Sequence, residues 1–84
     1  MTFLFLYTDT AKQDILKLDR VQKQRLKKTL ERYQETPLYY AKKLINSKIG
    51  DYRFRVGNFR VIFDLDGDKI VVLRVAHRKE IYRV

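Results

Sequence analysis

The 84-residue chain has no cysteine and no tryptophan, one histidine, one proline and three glycines. Without cysteine there is no disulfide and no thiolate metal site, and a single histidine argues against a zinc site built on imidazoles. Neither a metal nor a small-molecule cofactor is expected. Long hydrophobic runs are also missing. The longest, residues 3–7 and 70–73, fall far short of a bilayer span, so no membrane partner is expected. The opening MTFLFLYTD carries no basic region and no small-residue cleavage site, so it does not read as a secretion signal and a cytoplasmic protein is expected. No repeat, linker or low-complexity tract interrupts the sequence, and residues 1–84 read as one domain with a modest core.

Positive charge is abundant. Nineteen Lys and Arg oppose ten Asp and Glu, a formal balance of +9. A compact domain this basic repels itself, and a polyanionic partner is the usual reason to tolerate it. Charge alone does not separate nucleic acid from an acidic protein.

Hydrophobic periodicity organises the chain. Residues 3–7 suit a short strand. Thr10 and Gln13 form a capping-box pattern, after which Ala11, Ile15 and Leu18 share a helical face. Asp19 and Gln22 repeat the box, and Leu26, Leu30 and Tyr33 continue a second helix to about Gln34. Thr36-Pro37 ends it, because the residue before proline avoids helical dihedrals. Residues 38–50 suit either a short helical turn followed by an extended connector or a loop, and are read mostly as loop. From Asp51 the period becomes two: Tyr52, Phe54 and Val56 alternate with Arg53 and Arg55, Gly57-Asn58 is a hairpin signal, and Phe59, Val61, Phe63 and Leu65 continue beyond it. A third strand spans KIVVLRVAH. The expectation is an α+β fold, β-α-α-β-β-β, with a two-helix hairpin packed on one face of an antiparallel sheet.

A Gly57-Asn58 turn places Arg55 directly opposite Arg60. Like charges facing across a strand pair destabilise it by up to ~1 kcal/mol, and an anion between the forks would turn repulsion into binding. For the second turn a three-residue loop, Asp66 to Asp68, is preferred. It puts Val71, Leu73 and Val75 in the core and Arg74 opposite Arg60, whereas a two-residue loop would turn Arg74 inward at high cost. Arg53, Arg55, Arg60, Arg74 and, if the strand continues, Arg78 then share the face without helices. Guanidinium forks match phosphate oxygens in pairs and stay charged. At the other end of that face Ile62, Ile70 and Val72 would form an apolar patch, which marks a protein partner unless the first strand, the 38–50 segment or the tail covers it.

The stretch YRFRVGNFRVIFDLDGDKIVVLRVAHRKEIYR, with Lys43-Leu44 before the first hairpin, resembles the RelE/ParE superfamily of toxins from type II toxin–antitoxin operons. Resemblance to the RelE branch implies a metal-independent, ribosome-dependent endoribonuclease that cuts mRNA and is neutralised by a cognate antitoxin. The implied partners are that antitoxin, the ribosome and mRNA. The alternatives are a ParE-like toxin that inhibits DNA gyrase without cutting RNA, and a relative that binds antitoxin but has lost activity.

The resemblance carries over Arg55, Arg60, Arg78 and Tyr82 as catalytic residues, with His77 beside them. Arg53, Arg74 and Lys79 become RNA contacts, and Ile62, Ile70 and Val72 an antitoxin-binding patch. Two departures stand out. Arg53 and Arg55 replace the lysines of the best-studied branch, and arginine does not release its proton at accessible pH. The general base is therefore open among His77, Tyr82 and Glu80; strand parity turns His77 toward the core face unless the strand ends or bulges before it. The chain also stops soon after Tyr82, so regulation by a further C-terminal helix is not expected.

Overall fold

A computed structural model describes residues 2–83. Strand β1 (Leu4–Tyr7) leads into helices α1 (Asp9–Leu16) and α2 (Arg20–Tyr33). A short helix α3 (Pro37–Tyr40) and a two-residue strand β2 (Lys42–Lys43) follow. Strands β3 (Tyr52–Val56), β4 (Phe59–Asp66) and β5 (Lys69–His77) complete one sheet in the order β1-β5-β4-β3-β2, and a 3-10 turn spans Ile81–Arg83. The α+β architecture with a helix hairpin on one sheet face is as expected. The sheet is mixed, however, because β1 lies parallel to β5 while the other pairs are antiparallel. α3 and β2 subdivide the segment read as loop.

Each helix start has a local cause. Asp19 and Gln22 form the expected capping box on α2. α1 is capped by Thr8 rather than Thr10: the Thr8 hydroxyl accepts from the Ala11 N–H at 3.1 Å and donates to the Leu73 carbonyl at 3.1 Å. That second bond ties the cap to β5. Ala11, Leu26, Leu30 and Tyr33 are buried against Phe54, Val56, Val61, Phe63, Ile70, Val72 and Val75, forming the core between helices and sheet. Phe54 and Phe63 stack at 4.2 Å in its centre.

The Gly57-Asn58 hairpin has the expected register, with Arg55 opposite Arg60 and Phe54 opposite Val61. Gly57 adopts φ +60°, a conformation that side-chain-bearing residues resist. The next turn corrects the sequence expectation. It has two residues, pairing Asp66 with Lys69, and the register then shifts near Ile62 and Phe63, so that Phe63 faces Val72 and Ile62 faces Arg74. Leu73 is the extra residue of a β-bulge. The bulge keeps Ile70, Val72 and Val75 all on the helix face, which neither unbulged register allows. Arg74 therefore does not face Arg60, whose partner is Ala76.

Candidate functional site

On β3, Phe54 and Val56 point to the helices, so Arg53 and Arg55 point to the opposite face. Arg60 lies opposite Arg55 on β4 and is 7 % exposed. Its Nη1 donates to the carbonyl oxygens of Gly57 at 3.1 Å and Phe59 at 2.9 Å, so the hairpin's own backbone orients the guanidinium. Burial holds the Arg60 pKa below the ordinary guanidinium value, and the charges of Arg55, Arg53 and Arg78 push the same way, while Tyr82 opposes them. These five side chains thus share one electrostatic neighbourhood. Among the described residues no carboxylate pairs with Arg53, Arg55, Arg60 or Arg78.

Arg78 and Tyr82 come from the segment after β5. The Arg78 N–H donates to the Asn58 carbonyl at 2.7 Å, fastening this segment to the β3–β4 turn. Ile81 is fully buried and packs the 3-10 turn on β5, leaving the neighbouring Tyr82 ring 57 % exposed. A fixed backbone therefore presents a free aromatic face and an exposed guanidinium beside the buried Arg60. Lys79 is exposed on the same turn.

His77 lies where strand parity turned it, away from the arginines, whereas Arg74 and the group of Ile62, Ile70 and Val72 are placed differently from expectation. His77 lies opposite Phe59 and meets its ring edge-on at 5.8 Å, and Phe59 lines a pocket with Leu18, Gln22 and Leu26 of the helical layer. The imidazole is thus on the helix side of the sheet, where its Nδ1 accepts from the Lys79 N–H at 3.2 Å. Glu80 lines the same helix-side cleft. Arg74 is clamped: its Nε and Nη2 donate to both carboxylate oxygens of Asp14, at 2.8 and 3.2 Å, and the Val75 N–H donates to Asp14 at 3.0 Å. A guanidinium whose fork is occupied by a buried carboxylate has little left for phosphate. Ile62, Ile70 and Val72 are fully buried and offer no exposed patch. Ile70 and Val72 belong to the main core because the two-residue turn reverses their parity. Ile62 stays on the open face but is roofed by residues 44–51.

That roof depends on Gly50. A Cβ there would lie 2.5 Å from Ile62 Cγ2 and 2.9 Å from Leu73 Cδ1, so only glycine lets the backbone come this close. The Leu44 N–H donates to the Asp51 carbonyl, and the Asp51 N–H to Asp64 Oδ1, both at 2.8 Å, which closes the loop over the sheet.

Two contributors escaped sequence reasoning. Asp14 carried a usable signal, because it falls on the stripe of Ala11 and Leu18, where a buried acid requires a cation or a backbone donor. Lys42 carried almost none: two residues of strand leave no alternation to detect.

A helix hairpin lies over a small mixed sheet, with an arginine cluster at one end of the bare face that no carboxylate pairs among the described residues, and comparison with known proteins places this arrangement in a class of small toxins. Residues 5–82 match the family described as the ParE toxin of type II toxin-antitoxin system, parDE. The chain is 35% identical over 81 residues to toxin RelE3 of Methanocaldococcus jannaschii, covering 92% of each protein. It is 30% identical over 86 residues to toxin RelG of Mycobacterium tuberculosis, covering 99% of each. Its backbone matches a chain of the toxin-antitoxin complex RelBE2 from Mycobacterium tuberculosis with a TM-score of 0.79, at 27% identity, over 93% of this chain and 100% of that one. The protein belongs to the RelE/ParE superfamily of type II toxin–antitoxin toxins.

Proposed function

We propose that this toxin is an endoribonuclease that cuts mRNA on the ribosome and that a cognate antitoxin silences it. The observation that carries the proposal is Arg60: a nearly buried guanidinium, aimed by two carbonyls of its own hairpin and surrounded by Arg53, Arg55 and Arg78. Keeping that much like charge together, with no carboxylate paired to it among the described residues, stores repulsion that a phosphate would relieve. In the reaction the ribose 2′-oxygen attacks the adjacent phosphorus, the bond to the 5′-oxygen breaks, and a 2′,3′-cyclic phosphate remains. Charge accumulates on the phosphorane oxygens and the departing oxygen, where Arg55, Arg60 and Arg78 stabilise it. Tyr82 stacks on a neighbouring base or holds the 2′-hydroxyl, and Lys79 adds a phosphate contact; base stacking on an aromatic ring contributes ~1–3 kcal/mol. With His77 and Glu80 on the helix side, Tyr82 is the proton-bearing candidate on the arginine side. The antitoxin proposal is supported by RelBE2, a relative solved as a toxin-antitoxin complex.

The test is single-turnover cleavage of ribosome-bound mRNA by purified protein, with product ends mapped. We expect 2′,3′-cyclic ends, and Arg60→Ala should slow cleavage by about 10²–10³-fold, the usual effect of removing one preorganised charge donor. The family match to the parDE toxins favours one second reading, inhibition of DNA gyrase. Intact mRNA together with blocked supercoiling by the same preparation would establish that reading instead.

A further inference from the structure

Arg53 has two cross-strand neighbours on its face. On β4 it faces Ile62, which lies under the 44–51 roof, and on β2 it faces Lys42. The Lys42–Arg53 pair repeats, one strand over, the like-charge arrangement of Arg55 and Arg60. Cross-strand partners project from the same face, so Lys42, Arg53, Arg55 and Arg60 form a cationic row that crosses β2, β3 and β4 with a two-residue step along β3. Lys42 is exposed, and neither like-charge pair has a carboxylate to offset it among the described residues. Neighbouring strands are about 4.8 Å apart, so the row spans roughly 10 Å from β4 to the sheet edge. That is more than one phosphate needs.

We propose that Lys42 and Arg53 form a second phosphate subsite, which takes the single-stranded RNA one nucleotide beyond the bond held at Arg60 and leads it off the β2 edge. The roof over Ile62 closes the other direction along the face, and the β2 edge is open. An acidic peptide is the competing occupant. The row favours RNA because its cross-strand neighbours are cationic apart from the buried Ile62 and the small, half-buried Ala76, leaving no large exposed apolar side chain in the row for a peptide to cover. The subsite rests on the RNA assignment of the arginine cluster, so its test is a binding measurement independent of cleavage.

The probes are a 2′-O-methyl RNA octanucleotide, which has no free 2′-hydroxyl and cannot be cut, and a 2′-O-methyl dinucleotide with one internal phosphate. Affinity is measured against salt for the wild type, Lys42→Gln and Lys27→Gln, the last on the outer surface of α2. Each phosphate contact to a single strand contributes about 0.7 to the slope of log affinity against log salt. Lys42→Gln should lower the octanucleotide slope by about 0.7 and weaken binding several-fold, with the dinucleotide and Lys27→Gln unaffected. An unchanged slope for Lys42→Gln overturns the subsite and leaves the arginine cluster standing. An equal loss with Lys27→Gln overturns it in favour of general surface charge. If Lys42→Gln weakens only an oligoglutamate peptide, the row binds protein and the RNA path is wrong. Failure of the wild type to bind either RNA removes the subsite together with the RNA assignment beneath it.

Discussion

The β3–β4 hairpin end of the sheet and the α1 edge of β5 both hold arginine, and they treat it in opposite ways. At the α1 edge, Arg74 is locked to a buried carboxylate that also caps the Val75 N–H. There the charge is neutralised inside the fold and serves structure. At the hairpin end, Arg53, Arg55 and Arg60 converge with Arg78, and among the described residues the Arg60 guanidinium leans on backbone carbonyls alone. Carbonyl dipoles orient a guanidinium without cancelling its charge, so the field remains available to an outside anion. The comparison separates an arginine that holds the protein together from arginines that the protein holds in readiness.

Substitutions sharpen that contrast. The largest stability effect belongs to Asp14→Ala, which strands both Arg74 and the Val75 N–H. Removing one partner of a buried pair costs about 3–5 kcal/mol, and with Arg74 partly exposed the lower end applies, about 3 kcal/mol by urea unfolding. Cleavage per folded molecule should be retained; its loss would mean that the two regions are not separable. Gly50→Ala comes next. It drives a Cβ into Ile62 and Leu73 beneath the roof, and overpacking of this kind costs roughly 1–3 kcal/mol, visible as a lower melting temperature. Smallest in stability, and opposite in sign, is Arg55→Met. It removes the repulsion across from Arg60 and should raise stability by up to ~1 kcal/mol, while cleavage falls roughly tenfold or more for the lost charged hydrogen bond. A drop in both stability and activity would mean that Arg55 supports the fold instead of the chemistry.

Much of this arrangement was legible in the sequence, for reasons that are themselves physical. Gly57-Asn58 fixes one hairpin register, and one register fixes which arginines share a face. Asp19 with Gln22 fixes the start of α2. The bulge was not legible, because KIVVLRV is apolar nearly throughout and alternation vanishes where both faces are covered. The two-residue turn reversed the parity of Ile70 and Val72, turning an expected apolar patch into core, and one extra residue at Leu73 restored the parity beyond it while moving Arg74 away from Arg60. The Thr8 cap was hidden by the same feature, since its hydroxyl also bonds the carbonyl of Leu73. Lys42 became visible only through its pairing with Arg53, a long-range contact without a local pattern.

The central claim is that RNA is gripped on the arginine face of the sheet, centred on the hairpin end, and not on the helix side. Amide chemical shifts of the isotope-labelled protein, followed while the uncleavable 2′-O-methyl octanucleotide is added, test it directly. The account predicts saturable shifts at Arg53, Arg55, Gly57, Arg60, Arg78 and Tyr82, with Leu18, Gln22 and Lys17 in the helix-side cleft unmoved. Shifts concentrated in that cleft, with the hairpin silent, would contradict it.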